Sequence, residues 1–139
     1  MTAFDELCAY TLTLHDTTFI HQHVVDAQAV QDADARTKPI KLTFGLVGLC
    51  LHLEHGFTGR EVQRAHMMLA RTKHPWPTWP LPAGRGALSA ADVLARPPGE
   101  ARRRAIDEWC RSAWQAYADS HDAVAALLAR HRIVPPPEA

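Results

Sequence analysis

The sequence predicts an all-α fold, a compact antiparallel helical bundle of five to six helices with one Pro/Trp-rich loop. Three observations carry that prediction. Apolar residues recur at three- and four-residue spacing along most of the chain, helix-capping pairs stand where those stripes begin, and no stretch alternates with period two.

Phe4, Leu7, Cys8 and Thr11 make one stripe of a helix over residues 4–14. Asp16, Thr17 and Thr18 are N-cap candidates for a second helix over 18–33. Pro39 suits the first turn of a third, which should stop at Gly56, a residue that enters the left-handed conformation at little cost. This third helix is the most apolar and is expected at the centre. Thr58 and Glu61 have capping-box spacing, so a fourth helix should run from there to about residue 73.

Proline then recurs from Pro75 to Pro82, which excludes helix and makes 75–87 a loop. Trp76 and Trp79 are expected to pack it down as a strap over one end of the core, with a lid over a pocket as the alternative. Ser89 and Asp92 cap a short helix to residue 95, and Pro97, Pro98 and Gly99 end it. Ile106, Cys110, Ala113, Tyr117, Val124 and Leu128 share one face of a long last helix over 100–133, with a kink allowed near Ser120. Residues 134–139 read as a frayed tail.

The 139 residues suit one domain, 1–139. Fifteen Lys and Arg balance fifteen Asp and Glu, so the chain lacks the basic footprint of a nucleic-acid binder. Arg102, Arg103 and Arg104 form its one tight basic cluster, read as a solvated helix face. No apolar run approaches the ~18 residues of a membrane span. The acids at Asp5 and Glu6 are unlike the basic start of a secretion signal, which predicts a cytoplasmic protein. Cys8, Cys50 and Cys110 are scattered within apolar stripes and read as reduced core thiols.

Nine histidines are the unusual feature. His52 shares a helix face with Gly45 and Gly48, and each glycine costs about 1 kcal/mol relative to alanine inside a helix. Something must therefore approach this face closely, either another helix or a ligand. His55 lies at the edge of the same face. Glu54 lies two positions from His52 and points elsewhere, so LHLEH lacks the i, i+4 pair of a zincin motif. His66 has Val62, Ala65, Leu69 and Ala70 on its own side and is expected to face the core. On the second helix, His21 shares a face with Val24, Val25 and Gln28, whereas His23 and Asp26 lie opposite with Phe19 and Val30. One of those faces must be inside.

Neutral imidazole binds zinc, iron, nickel and copper, and bundle interiors are where facing helices build such sites. His21, His52 and His66, with His55 beside them, are thus the candidate ligands of a divalent transition metal. Three protein ligands and one open position would activate water or polarise a carbonyl. Asp26 is the candidate catalytic residue, as an additional ligand, a proton acceptor or the partner that orients a ligand histidine. This reading predicts a metal-dependent enzyme acting on a small molecule. The alternatives are a non-catalytic homodimeric module packed through Gly45 and Gly48, and a haem-type cofactor held beside His52.

Residues 21–31 (HQHVVDAQAVQ) and 38–71 (KPIKLTFGLVGLCLHLEHGFTGREVQRAHMMLAR) resemble a family of small bacterial helical proteins of unknown function. Trp76-Pro77, Ala90 with Asp92-Val93-Leu94, and Trp109 with Trp114 extend the resemblance over most of the chain. Members carry a histidine and an aspartate where His21 and Asp26 stand, vary at positions like His52, and in some cases begin with a cysteine-rich segment that this chain lacks. The resemblance implies a helical fold and supplies no activity.

Overall fold

The computed structural model describes residues 1–73 and 75–134, and the regular structure among them is helical throughout. In chain order the elements are α1 (Ala3–Thr13), α2 (His21–Gln31), α3 (Pro39–His55), α4 (Gly59–Ala70), α5 (Ala90–Leu94), α6 (Glu100–Ala116) and α7 (His121–Arg130). A 3₁₀ turn, Ala118–Ser120, joins the last two. His74 and 135–139, most of the expected tail, lie outside the described residues.

Caps set most of the starts. Thr58 and Glu61 form the expected box, with the hydroxyl accepting from Glu61 N at 3.2 Å and the carboxylate accepting from Thr58 N at 3.0 Å. The Asp92 carboxylate reaches back to both the backbone N–H and the hydroxyl of Ser89. A third box, Thr2 with Asp5, opens α1 and went unread in the sequence. The second helix begins later than its apolar pattern suggested. Phe19 takes a left-handed φ of 59°, and Asp16 accepts from Ile20 N at 2.9 Å, which holds the preceding turn out of the helix.

The described helices number seven, not five or six, because the long last helix is broken. The Tyr117 backbone leaves helical geometry, and its hydroxyl donates to the Val30 carbonyl at 3.1 Å. His121 folds back so that its ring stacks on Trp114 at 3.7 Å and its Nε2 bonds the Trp114 carbonyl at 2.8 Å. One tertiary bond and one stack thus compensate the lost helical hydrogen bonds, and α7 turns to pack on α3.

The α2–α3 pair is the most extensive helix contact, and α2 also packs on α1, α4 and α6. Leu46, Leu49 and Leu51 of α3 are fully buried, each worth roughly 1.5–3 kcal/mol. The centrality of α3 follows from its composition. That of α2 does not, since it buries His23 and Asp26 beside Val24, Ala27 and Val30.

The proline-rich segment is a strap. Trp79 is buried and donates its indole N–H to Thr43 Oγ1 at 2.8 Å, while Trp76 meets Phe44 edge-on. Gln31 pins the far end of the loop. Its amide nitrogen donates to the carbonyls of Arg85 and Leu88, and its oxygen accepts from Trp109 Nε1 at 3.0 Å. No described helix is long and apolar enough to cross a membrane.

Candidate functional site

The face of α2 left open by periodicity is settled by packing: His23 and Asp26 are inside. His21 is half-buried in the seam with α1, where Nδ1 bonds Thr11 Oγ1 at 2.8 Å. His66 bonds the Phe44 carbonyl at 2.8 Å through Nε2 and stacks on the Phe44 ring. His52 lies in the last turn of α3 and bonds Asp107 of α6 instead. His55 is exposed beside Phe57. The candidate ligands are therefore each engaged separately. Among the described residues no group of three or more His, Cys, Asp or Glu side chains is placed to hold a metal ion.

What approaches the glycine face of α3 is Asp26. A Cβ on Gly48 would overlap its Oδ2, and one on Gly45 would meet the Asp26 carbonyl and the Val30 side chain. The two glycines serve helix approach within one chain. Asp26 Oδ1 accepts from Gln22 Nε2 at 3.1 Å, whereas Oδ2 is buried without a partner among the described groups. Burial raises this carboxyl well above 3.8, and the hydrogen bond from Gln22 only partly opposes it.

The residues that do meet are His23, His52 and Asp107. The two imidazoles stack at 3.6 Å with 16° between their planes. His52 Nε2 lies 3.0 Å from Asp107 Oδ1, and its Nδ1 lies 3.3 Å from the Phe57 carbonyl. Both nitrogens of His52 thus face acceptors, and only the doubly protonated ring donates to both. The hydrogen bond from His52 holds the Asp107 carboxyl below its usual range. His23 is buried, and burial with the nearby His52 charge lowers it to about 3, leaving it neutral.

These side chains line a cleft of about 240 Å³ with Thr18, Ile20, Gly56, Phe57, Thr58 and the exposed Arg103. Three segments form its rim: the turn before α2, the α3–α4 turn and the first half of α6. Gly56 adopts the expected left-handed φ of 70°, and Phe57 N closes on the Leu51 carbonyl at 2.9 Å, aiming the Phe57 carbonyl back at His52. Gly59 packs on the Phe19 carbonyl, which ties the two turns together.

Asp107 went unread in the sequence, and Arg103, read there as part of a solvated helix face, is exposed but also lines the cleft. Asp107 sits between Ile106 and the polar flank of α6, 55 residues from His52, and no local spacing links the two. His23 was legible as one of two options. The three cysteines are free thiols, Cys50 and Cys110 buried in the core and Cys8 half-buried at its edge; burial raises all three and pushes Cys50 to about 12. Glu54, expected to point away from His52, is exposed and accepts from Trp114 Nε1 at 3.0 Å.

No curated protein and no solved structure is significantly similar to the chain. A family model does match, over residues 1–118, and on that match the chain belongs to DUF5946, a family of unknown function.

Proposed function

We propose that the protein binds a small anionic molecule in the cleft between α2, α3 and α6, and that the Asp107–His52 pair exchanges a proton with it. The observation that carries this reading is the meeting of two stacked imidazoles, a carboxylate and a guanidinium on one hollow at the ends of helices. Perturbed ionisable groups gathered in a cleft are the usual mark of a working site. Arg103 supplies a permanent positive charge, and its planar fork suits a carboxylate or phosphate. The Asp107 carboxylate fixes the orientation of the His52 ring, the role a carboxylate plays beside a general acid. A hollow of about 240 Å³ is smaller than drug-sized sites, so the ligand has few heavy atoms.

The test is a thermal-shift and NMR titration of the full chain with inorganic phosphate, acetate and citrate. A saturable response that moves the His52 and Arg103 resonances and disappears in Arg103→Ala supports the reading. No response to any of the three anions sinks it. Elemental analysis of untagged protein addresses metal dependence separately. Stoichiometric zinc, iron, nickel or copper would assign the site to a metal-dependent enzyme, whereas metal-free protein that still binds anions would need no ion.

A further inference from the structure

His23 and Asp26 each bury one polar side-chain atom, Nδ1 and Oδ2, that has no partner among the described groups. Buried polar atoms are rarely left so, and two at once on neighbouring side chains are rarer. The residues are three apart on α2, which sets their side chains one above the other. Their needs are complementary if Asp26 is the neutral acid. Gln22 Nε2 donates to Oδ1, so Oδ1 is the acceptor oxygen and Oδ2 is left to carry the proton. A neutral imidazole that accepts at Nδ1 must hold its own proton on Nε2.

We propose that Asp26 is a protonated acid whose Oδ2–H is relayed to His23 Nδ1 through one bridging water, which fixes His23 as the tautomer carrying Nε2–H. His23 lines the cleft, and Nε2, unlike Nδ1, is not closed off from it. Asp26 then acts as a positioning residue. It makes the imidazole present a hydrogen-bond donor to whatever occupies the hollow. Together with Arg103 this gives two donors lining the same cleft, which deepens the anion-binding reading by adding a second contact for an acceptor oxygen.

The surroundings favour the neutral acid over an ionised one. Asp26 is covered by Gly45 and Gly48 of α3 and lies near the Cys110 thiol of α6, and none of these supplies a positive charge. The Cys110 thiol donates to the His23 carbonyl, so it is not a donor to Oδ2. An ionised Asp26 would instead require His23 to donate from Nδ1, the opposite tautomer, so the two states are distinguishable.

The experiment uses ligand-free full-length protein and therefore stands apart from the anion titration. Long-range proton–nitrogen NMR correlations at neutral pH should find His23 protonated on Nε2, and infrared difference spectra against Asp26→Asn should contain a protonated-carboxyl band. Asp26→Asn should keep the tautomer, because the amide N–H replaces the acid O–H as donor. Asp26→Leu, which offers no donor, should shift His23 toward a mixture of tautomers. His23 found protonated on Nδ1 in the wild type, or no protonated-carboxyl band, would overturn the proposal even if Asp26→Leu does not fold.

Discussion

The carboxyl group of Asp26 fills the space in which residue 48 would carry a side chain, and glycine at 48 is what lets α2 lie against α3 there. Helix propensity and packing thus make opposite demands at this position. Gly48→Ala gains about 1 kcal/mol from propensity and loses about 1–3 kcal/mol to overpacking against a buried polar group. A net loss is expected, read as a lower urea midpoint at unchanged slope. The double variant Gly48→Ala, Asp26→Ser should recover part of it, since the two sites share one volume. A stabilised Gly48→Ala protein would show that the helices separate at no cost.

Stability should be highest in mildly acidic solution, because two buried groups on α2 pull in opposite directions. His23 falls from 6.5 to about 3 on folding. The unfolded chain protonates this ring first as pH falls, so the stability attached to His23 is present above 6.5 and lost toward about 3. Burial lowers His21 and His66 as well, which adds to the loss on the acid side. Asp26 has the reverse sign. Its folded value lies well above 3.8, so its contribution is present below 3.8 and lost as pH rises. Each group can tilt the profile by at most about 1.4 kcal/mol per pH unit. Urea melts over about pH 4–8 should show a shallower acid limb in His23→Gln and a shallower alkaline limb in Asp26→Asn. An unchanged alkaline limb in Asp26→Asn would mean that the carboxyl ionises in the folded chain.

Asp107→Asn should hardly affect stability. The Asp107 side chain is 47% exposed, and solvent-screened pairs contribute about 0–1 kcal/mol. The anion response of the cleft should nevertheless weaken at least several-fold, because the His52 ring loses the carboxylate that holds it. A stability loss well above 1 kcal/mol in chemical denaturation would make the pair a structural one.

Thr43 Oγ1 accepts the hydrogen bond of the Trp79 indole N–H in a buried setting. Thr43→Val keeps the shape and orphans that N–H, at an expected cost of about 1–3 kcal/mol. Trp79→Phe in the same background should lose less than the sum of the two single changes, because the N–H is then gone. Full additivity would place the contribution of the strap in its apolar contact alone.

Gln31 serves three backbone and side-chain partners at once. Gln31→Leu orphans the Trp109 N–H and frees two loop carbonyls, so hydrogen exchange around residues 85–88 should accelerate before the helices respond. Uniform acceleration across the chain would show that the loop and the bundle open as one unit.

Helix existence was legible because caps and apolar spacing are local. Thr58 with Glu61 and Pro39 placed two starts correctly, and Thr2 with Asp5 carried the same signal at the first helix. The break at Tyr117 was not legible, since the apolar stripe runs on across it and the cause is a tertiary bond to Val30. The site was half legible. Gly45 and Gly48 announced a close approach, and His52 proved to belong to the cleft. Which face of α2 turns inward was hidden, because the buried face carries an imidazole and a carboxyl, the residue types by which a solvent face is ordinarily recognised. The partnership of His52 with Asp107 is purely long-range.

Two aromatic rings lying parallel at 3.6 Å have consequences for charge as well as packing. A proton on the outer imidazole repels a second proton from the inner one, as the effect of His52 on His23 already indicates. The hollow therefore counts to one: it can present a single cationic ring to an incoming ligand, and acidifying the solution over the physiological range will not double that charge.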